Sequence, residues 1–190
     1  MERLRPGMVI PATVTHLEPF GAFVDIGCGL VSMIGIERIS VSRIPHPGCR
    51  FTVGQEILTA VLDTEPELGR VKLTHRELLG TWEENAALFS PGETVSATVR
   101  SVESYGIFVE LTPNLAGLAE PKAGVRAGQQ ASVYIKSLIP EKMKVKLILI
   151  DAFDEAPRTK ALRYFIESGR LDRWVYSPAG CSRRVESVFS

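Results

Sequence analysis

The sequence predicts an all-β chain made of two tandem five-stranded barrels, with a short linker helix between them and a helical tail at the C-terminus. The first observation is an internal repeat: residues 6–27 (PGMVIPATVTHLEPFGAFVDIG) align without a gap to residues 91–112 (PGETVSATVRSVESYGIFVELT). The second is that each copy opens a run of short segments rich in Val, Ile and Thr, which favour strands. Two copies of one β module are therefore expected.

Each copy divides into five strands separated by turn residues. In the first copy the predicted strands cover residues 9–17, 20–26, 33–36, 56–63 and 70–75. In the second they cover residues 94–102, 106–111, 115–119, 130–138 and 143–150. One long connection follows the third strand of the first copy, and the second copy has a shorter one. Five strands with this connection are the layout of the OB-fold barrel.

Two segments outside the strands have helical spacing of apolar residues. Residues 76–89 (RELLGTWEENAALF) predict a short linker helix, and residues 155–170 (EAPRTKALRYFIESGR) predict a C-terminal helix that ends at Gly169. The predicted domains are a first barrel, a linker helix, a second barrel, and a C-terminal helix with its tail. Their residues are 6–78, 79–90, 91–151 and 152–190.

Composition limits the function classes. The chain has 22 basic and 22 acidic residues, so its net charge is zero, although a local basic face is still compatible with nucleic-acid binding. No stretch of 18 uninterrupted apolar residues and no signal peptide is evident, which predicts a cytoplasmic protein without a membrane partner. Three scattered cysteines and three isolated histidines predict no disulfide framework, no metal site and no cofactor.

Strand alternation predicts which side chains face outward. On the second strand of each copy, a buried Val24 places Phe23 and Asp25 outside, and a buried Val109 places Phe108 and Glu110 outside. Gly21 and Gly106 come just before these residues. A bend at either glycine would bring the aromatic residue before it, Phe20 or Tyr105, to the same surface. On the fifth strands the residues expected outside are Arg70, Lys72 and Thr74 in the first copy, and Lys144 and Lys146 in the second.

Each barrel is thus predicted to present two aromatics beside two cations. Nucleobases stack on aromatic rings and basic side chains neutralise phosphates, so this pattern favours RNA binding. The predicted RNA-binding residues are Phe20, Phe23, Arg70, Lys72, Tyr105, Phe108, Lys144 and Lys146. A structural alternative is that a loop, the linker helix or the other domain covers the aromatics. The exposed pair Arg183-Arg184 is a further candidate for a phosphate contact.

The segments EPFGAFVDIG and ESYGIFVELT, with GTWEE in the linker, resemble the S1 RNA-binding domain over about residues 6–78 and 91–151. The resemblance implies RNA contacts through the aromatics of the second strand, a histidine of the third and a basic residue of the fifth. It assigns these roles to Phe20, Phe23 and Arg70, and to Tyr105, Phe108 and Lys144. The chain departs from the family on the third strand, where Gly35 and Glu120 occupy the histidine position. This departure predicts modest affinity, little sequence specificity and a weaker second barrel.

No P-loop, nucleophile elbow or HExxH motif is present, so no catalytic residue is expected and the protein is predicted not to be an enzyme. The leading interpretation is a protein that binds single-stranded RNA, messenger or ribosomal, and acts in translation near the ribosome, which is a candidate partner. The alternative is a protein-docking module of a ribosomal or RNA-processing complex with little RNA contact. A third interpretation is a fragment of a longer array of S1 domains.

Overall fold

The structure is a computed structural model that describes residues 4–155 and 162–190. Its described residues form two compact units, each built around a closed five-stranded barrel, which confirms the predicted fold class of tandem barrels. The first unit holds residues 4–80, 162–174 and 186–190. The second holds residues 81–155 and 175–185.

The first barrel consists of β1 (Val9–Glu18), β2 (Gly21–Asp25), β3 (Val31–Gly35), β4 (Glu56–Glu65) and β5 (Arg70–Thr74). Its strand order is β1-β2-β3-β5-β4, and β4 closes the barrel against β1. Only the β3–β5 pair is parallel, since the long connection after β3 carries the chain across the barrel. Branched side chains fill the interior, among them the buried Val14, Val24, Ile34, Ile57, Val71 and Leu73.

The second barrel repeats this topology with β6 (Thr94–Glu103), β7 (Gly106–Thr112), β8 (Leu115–Ala119), β9 (Gln130–Ile139) and β10 (Lys144–Phe153). The order is β10-β8-β7-β6-β9, and β8 pairs in parallel with β10. The equivalent strands thus occupy equivalent places in the two barrels. Each outer face can be compared strand by strand with the other.

The linker helix is shorter than the sequence predicted. It is α1 (Trp82–Ala86), which begins at a capping box formed by Thr81 and Glu84. The preceding residues, Arg76–Leu79, form a separate 3-10 turn, because Gly80 adopts a positive φ of 97° that ends it. Trp82 is buried within the second unit.

The predicted C-terminal helix is wrong over its described part. Residues 162–190 contain no helix and instead carry a two-stranded sheet of β11 (Arg173–Val175) and β12 (Glu186–Val188). The Phe165 amide donates to the Leu78 carbonyl at 2.8 Å and the Leu171 amide to the Gly7 carbonyl at 2.8 Å. These long-range bonds replace the local bonds of a helix. Residues 156–161 of the predicted helix lie outside the described residues.

Among the described residues no helix has both the length and the apolar character needed to cross a bilayer.

His75 anchors the tail to the first barrel. It is fully buried, with Nδ1 2.7 Å from the Ile39 carbonyl oxygen and Nε2 3.0 Å from the Tyr164 hydroxyl. A carbonyl only accepts, so Nδ1 carries the proton and Nε2 accepts from Tyr164. The Tyr164 oxygen in turn accepts from the Leu58 amide at 3.2 Å. Both hydrogen bonds of His75 are therefore formed by its neutral imidazole.

The buried His75 predicts a loss of stability at acidic pH. Desolvation lowers its pKa from 6.5 to about 4, and the nearby Arg50 adds to the shift. Below pH 6.5 the unfolded chain takes up a proton that the folded chain refuses, so the free energy of unfolding falls by up to about 1.4 kcal/mol per pH unit as the pH drops toward 4. Above pH 6.5 this contribution is constant.

Urea unfolding at pH 7 and pH 5 measures this effect. His75→Gln should be less stable at pH 7, because it disturbs the buried contacts, but should lose less stability between the two pH values than the wild type. An equal loss in both proteins would assign the acid sensitivity to other groups.

Candidate nucleic-acid interface

The aromatic pair of the first barrel lies on its outer surface. Phe20, in the turn before β2, is 55% exposed, while Phe23 on β2 is half-buried. Their ring centroids are 6.0 Å apart with the planes perpendicular. The His16 ring on β1 lies 6.0 Å from Phe23 and extends the same surface. The described part of the chain leaves these rings available to a ligand.

The second barrel reproduces this pair. Tyr105 is 64% exposed and Phe108 is half-buried. Their ring centroids are again 6.0 Å apart, with an interplanar angle of 84°. The predicted alignment of Phe20 with Tyr105 and of Phe23 with Phe108 therefore holds in three dimensions.

The cations of the first barrel are paired with a carboxylate. Arg70 and Lys72 extend from β5 with about half of each side chain exposed. Arg70 Nε lies 2.8 Å from Glu65 Oε2, and Lys72 Nζ lies 2.9 Å from Glu65 Oε1. Hydrogen bonds from Lys72 and Arg70 hold the pKa of Glu65 below its ordinary value. The carboxylate therefore stays ionised and bound to both cations.

The second barrel has a groove of about 780 Å³ beside its aromatic pair. Tyr105 and Phe108 line it together with residues of β8 and β10, including the apolar side chains of Leu118 and Ile148. Its basic lining residues are Lys122, Lys136, Lys142, Lys144, Lys146 and Arg183. Lys144 and Lys146 were predicted to face outward, and both do.

Sequence reasoning missed three of these cations. Lys136 lies on β9 and Lys142 in the turn before β10, whereas the predicted outward-facing residues came from the second and fifth strands only. Lys122 follows β8 and donates to the Ile150 carbonyl at 2.8 Å. The register of β9 with β10 pairs Ser137 with Lys146, which sets Lys136 next to that pair on the hairpin.

Two residues that the sequence places on the outer surface are buried. Glu110 is buried, and both of its carboxylate oxygens accept from Arg100, at 3.2 and 3.1 Å. Glu110 pairs with the partly exposed Thr98 of β6, so it lies on the outer side of the barrel, where the Arg100 side chain covers its carboxylate. Thr74 is also buried, at the end of β5, and donates to Glu77 at 2.6 Å.

The third-strand positions differ between the barrels. Gly35 ends β3, and a side chain there would meet the Glu37 carboxylate. Glu120 follows β8, is exposed, and adds a negative charge to the groove lining. Within the described residues no group of three or more His, Cys, Asp or Glu side chains could hold a metal ion.

Comparison with known proteins agrees with this geometry. Residues 3–76 match the family model of the S1 RNA binding domain. The chain is 28% identical over 173 residues to the small ribosomal subunit protein bS1 of Leuconostoc lactis, a match that covers 85% of this chain and 40% of that protein. It is 30% identical over 167 residues to bS1 of Streptococcus pneumoniae, covering 82% of this chain and 41% of that protein.

Among solved structures, a complex of a/eIF2alpha, aDim2p and rRNA from Pyrococcus horikoshii matches 46% of this chain and 52% of that chain, with 21% identity and a TM-score of 0.39.

This chain spans less than half the length of the two bS1 relatives. The first barrel, at residues 3–76, is therefore similar to the S1 RNA binding domain.

Proposed function

We propose that this protein binds single-stranded RNA on the outer faces of both barrels, without catalysis. The observation that carries the proposal is the exposed aromatic pair, which occurs twice with a ring separation of 6.0 Å each time. Basic side chains lie beside each pair. Exposed rings next to cations suit a strand whose bases stack while its phosphates are neutralised.

In this mechanism one base stacks on the most exposed ring of each barrel, Phe20 or Tyr105, and a neighbouring base packs against Phe23 or Phe108. Each stacked base contributes roughly 1–3 kcal/mol by alanine substitution. Stacking accepts any base, and Gly35 offers no side chain to read a base edge. Binding therefore depends weakly on sequence.

The natural RNA would be messenger or ribosomal RNA, and the setting would be translation at the ribosome in the cytoplasm. The relatives named small ribosomal subunit proteins support this context. We assign RNA binding to two S1-type domains at residues 6–78 and 91–151. In this proposal residues 79–90 link the domains, and residues 152–190 form the tail.

The aromatic pairs give the first test. Fluorescence anisotropy with a fluorescein-labelled oligouridine of about twelve nucleotides, long enough for an OB-fold site, reports binding by the full chain. We expect Tyr105→Ala/Phe108→Ala to weaken binding by at least about ten-fold, which corresponds to the loss of roughly 1.4 kcal/mol of stacking. Phe20→Ala/Phe23→Ala should weaken it as well.

Phe153→Ala is the matched control, because Phe153 is an exposed aromatic of the second unit that does not line the groove. It should bind like the wild type. A wild type that fails to bind at low salt would overturn the proposal and favour the protein-docking alternative. Binding that survives both double substitutions would exclude stacking on these rings.

A further inference from the structure

The hairpins between the fourth and fifth strands differ in charge between the two barrels. In the first barrel, residues 62–72 read LDTEPELGRVK, with two cations against three carboxylates and a net charge of −1. In the second barrel, residues 136–146 read KSLIPEKMKVK, with four cations against one carboxylate and a net charge of +3. The same structural element is thus acidic in one barrel and basic in the other.

Backbone geometry establishes that these residues correspond. Glu65 pairs with Arg70 at the end of the first hairpin, and Ile139 pairs with Lys144 at the end of the second. A proline-initiated 3-10 turn follows in each barrel, and the residue closing it is left-handed, with φ of 65° at Gly69 and 48° at Met143. Ile139 therefore occupies the place of Glu65.

The replacement of Glu65 by Ile139 at this position decides whether the neighbouring cations are paired with a carboxylate. In the first barrel Glu65 bridges Arg70 and Lys72. In the second barrel no carboxylate of the described residues lies within ion-pair distance of Lys144 or Lys146. The side chain at the Glu65 position, Ile139, cannot form such a pair.

We propose that the second barrel is the main phosphate-binding site of the chain, and that Glu65 is an internal competitor that weakens the first barrel. This inference rests on the proposed function and reverses the expectation that the second barrel is the weaker. A phosphate approaching Arg70 and Lys72 must displace a carboxylate that already satisfies both. A phosphate approaching Lys144 and Lys146 displaces only water and mobile ions. Glu120 in the groove lowers this advantage but does not bridge the two lysines.

The corresponding cation pairs provide the first experiment, measured with the same labelled oligouridine and the full chain at about 50 and 200 mM salt. Each phosphate contact contributes about 0.7 to the slope of log K against log salt for a single strand. We expect Lys144→Gln/Lys146→Gln to lower the slope by about 1.4 and the low-salt affinity by about ten-fold. We expect Arg70→Gln/Lys72→Gln to change the affinity by less than about two-fold.

Glu65 provides the second experiment. Glu65→Gln removes the bridging charge with little change of shape, and should raise the low-salt affinity by about three-fold or more and steepen the salt slope. Glu67→Gln is the control, because Glu67 carries the same charge in the same hairpin without bridging the cations. The reciprocal change Ile139→Glu should weaken binding.

The outcomes distinguish a failure of the proposed function from a failure of the proposed ranking of the two barrels. If the wild type does not bind the oligouridine at low salt, the proposed function itself is wrong. If the wild type binds but the Arg70/Lys72 double variant loses as much affinity as the Lys144/Lys146 variant, the ranking of the barrels is wrong. Equal gains from Glu65→Gln and Glu67→Gln would show that net charge, and not the bridge, sets the affinity. Circular dichroism confirms that each variant is folded.

Discussion

Arg100→Ala is expected to destabilise the second barrel by about 3–5 kcal/mol. Arg100 on β6 donates from Nε and Nη2 to the two carboxylate oxygens of Glu110 on β7. The side chains are only 16% and 7% exposed, so the ion pair lies largely out of water. The buried carboxylate would then lie in the barrel wall without its cation, which is the costly way to break a buried ion pair.

Hydrogen exchange read by mass spectrometry measures this cost locally. If the variant opens the barrel, amides of β6 and β7 should exchange roughly two to four orders of magnitude faster, the equivalent of the stated free energy. Peptides from the first barrel serve as an internal reference. The double variant Arg100→Met/Glu110→Leu removes both charges and should recover most of the protection.

An exposed ion pair of the same unit is the matched control. Arg126 and Asp154 form a salt bridge whose side chains are 68% and 73% exposed. Arg126→Ala should therefore cost no more than about 1 kcal/mol. If Arg100→Ala costs as little as Arg126→Ala, the Arg100–Glu110 pair contributes no more than a surface salt bridge.

The same pair marks where strand alternation stops predicting the exposure of a side chain. Alternation placed Val24, Val71 and Leu147 inside correctly, because their strands are regular at those positions. It did not predict the burial of Glu110, which bonds to Arg100, or of Thr74, which bonds to Glu77. Alternation gives the face of the sheet on which a side chain lies, but not which other side chains cover that face.

The C-terminal segment was predicted to be a helix, and this prediction failed for a different reason. Leu162, Phe165 and Ile166 have the spacing of a helix face, but an extended segment can pack the same apolar residues one at a time. Leu162 packs against the core of the first barrel, and Tyr164 reaches His75. These contacts join residues far apart in the sequence, and local periodicity carries no information about them.

The sequence predicted the exposed cations but not the residues that lie beside them. The sequence identified Arg70, Lys72, Lys144 and Lys146 as outward cations, and all four are exposed. It did not identify their partners, because strand pairing brings Glu65 beside Arg70 and leaves Ile139 beside Lys144. The expectation of a weaker second barrel rested on Glu120 at the third-strand position, and the strand pairing, which the sequence does not show, reverses it in our proposal.

Gly21→Ala is expected to destabilise the first barrel by about 3 kcal/mol. Gly21 begins β2 opposite Gly35 of β3, and a Cβ there would lie 2.4 Å from the Ile34 carbonyl oxygen. The Ile34 carbonyl is part of the backbone and cannot rotate away as a flexible side chain can. The strands β2 and β3 must therefore separate. That separation weakens the ladder that holds Phe23 in place beside Phe20.

Gly35→Ala is the matched control for this substitution. Gly35 has an extended backbone, φ −61° and ψ 148°, that alanine adopts without strain. Its Cβ would meet the end of the Glu37 side chain, which can rotate away, so the cost should stay below about 1 kcal/mol. Hydrogen exchange of β2 and β3 should therefore accelerate strongly in Gly21→Ala and little in Gly35→Ala. Similar exchange in both variants would mean that the close approach of β2 to the Ile34 carbonyl does not limit the residue at position 21, and that the position of the aromatic pair does not depend on this glycine.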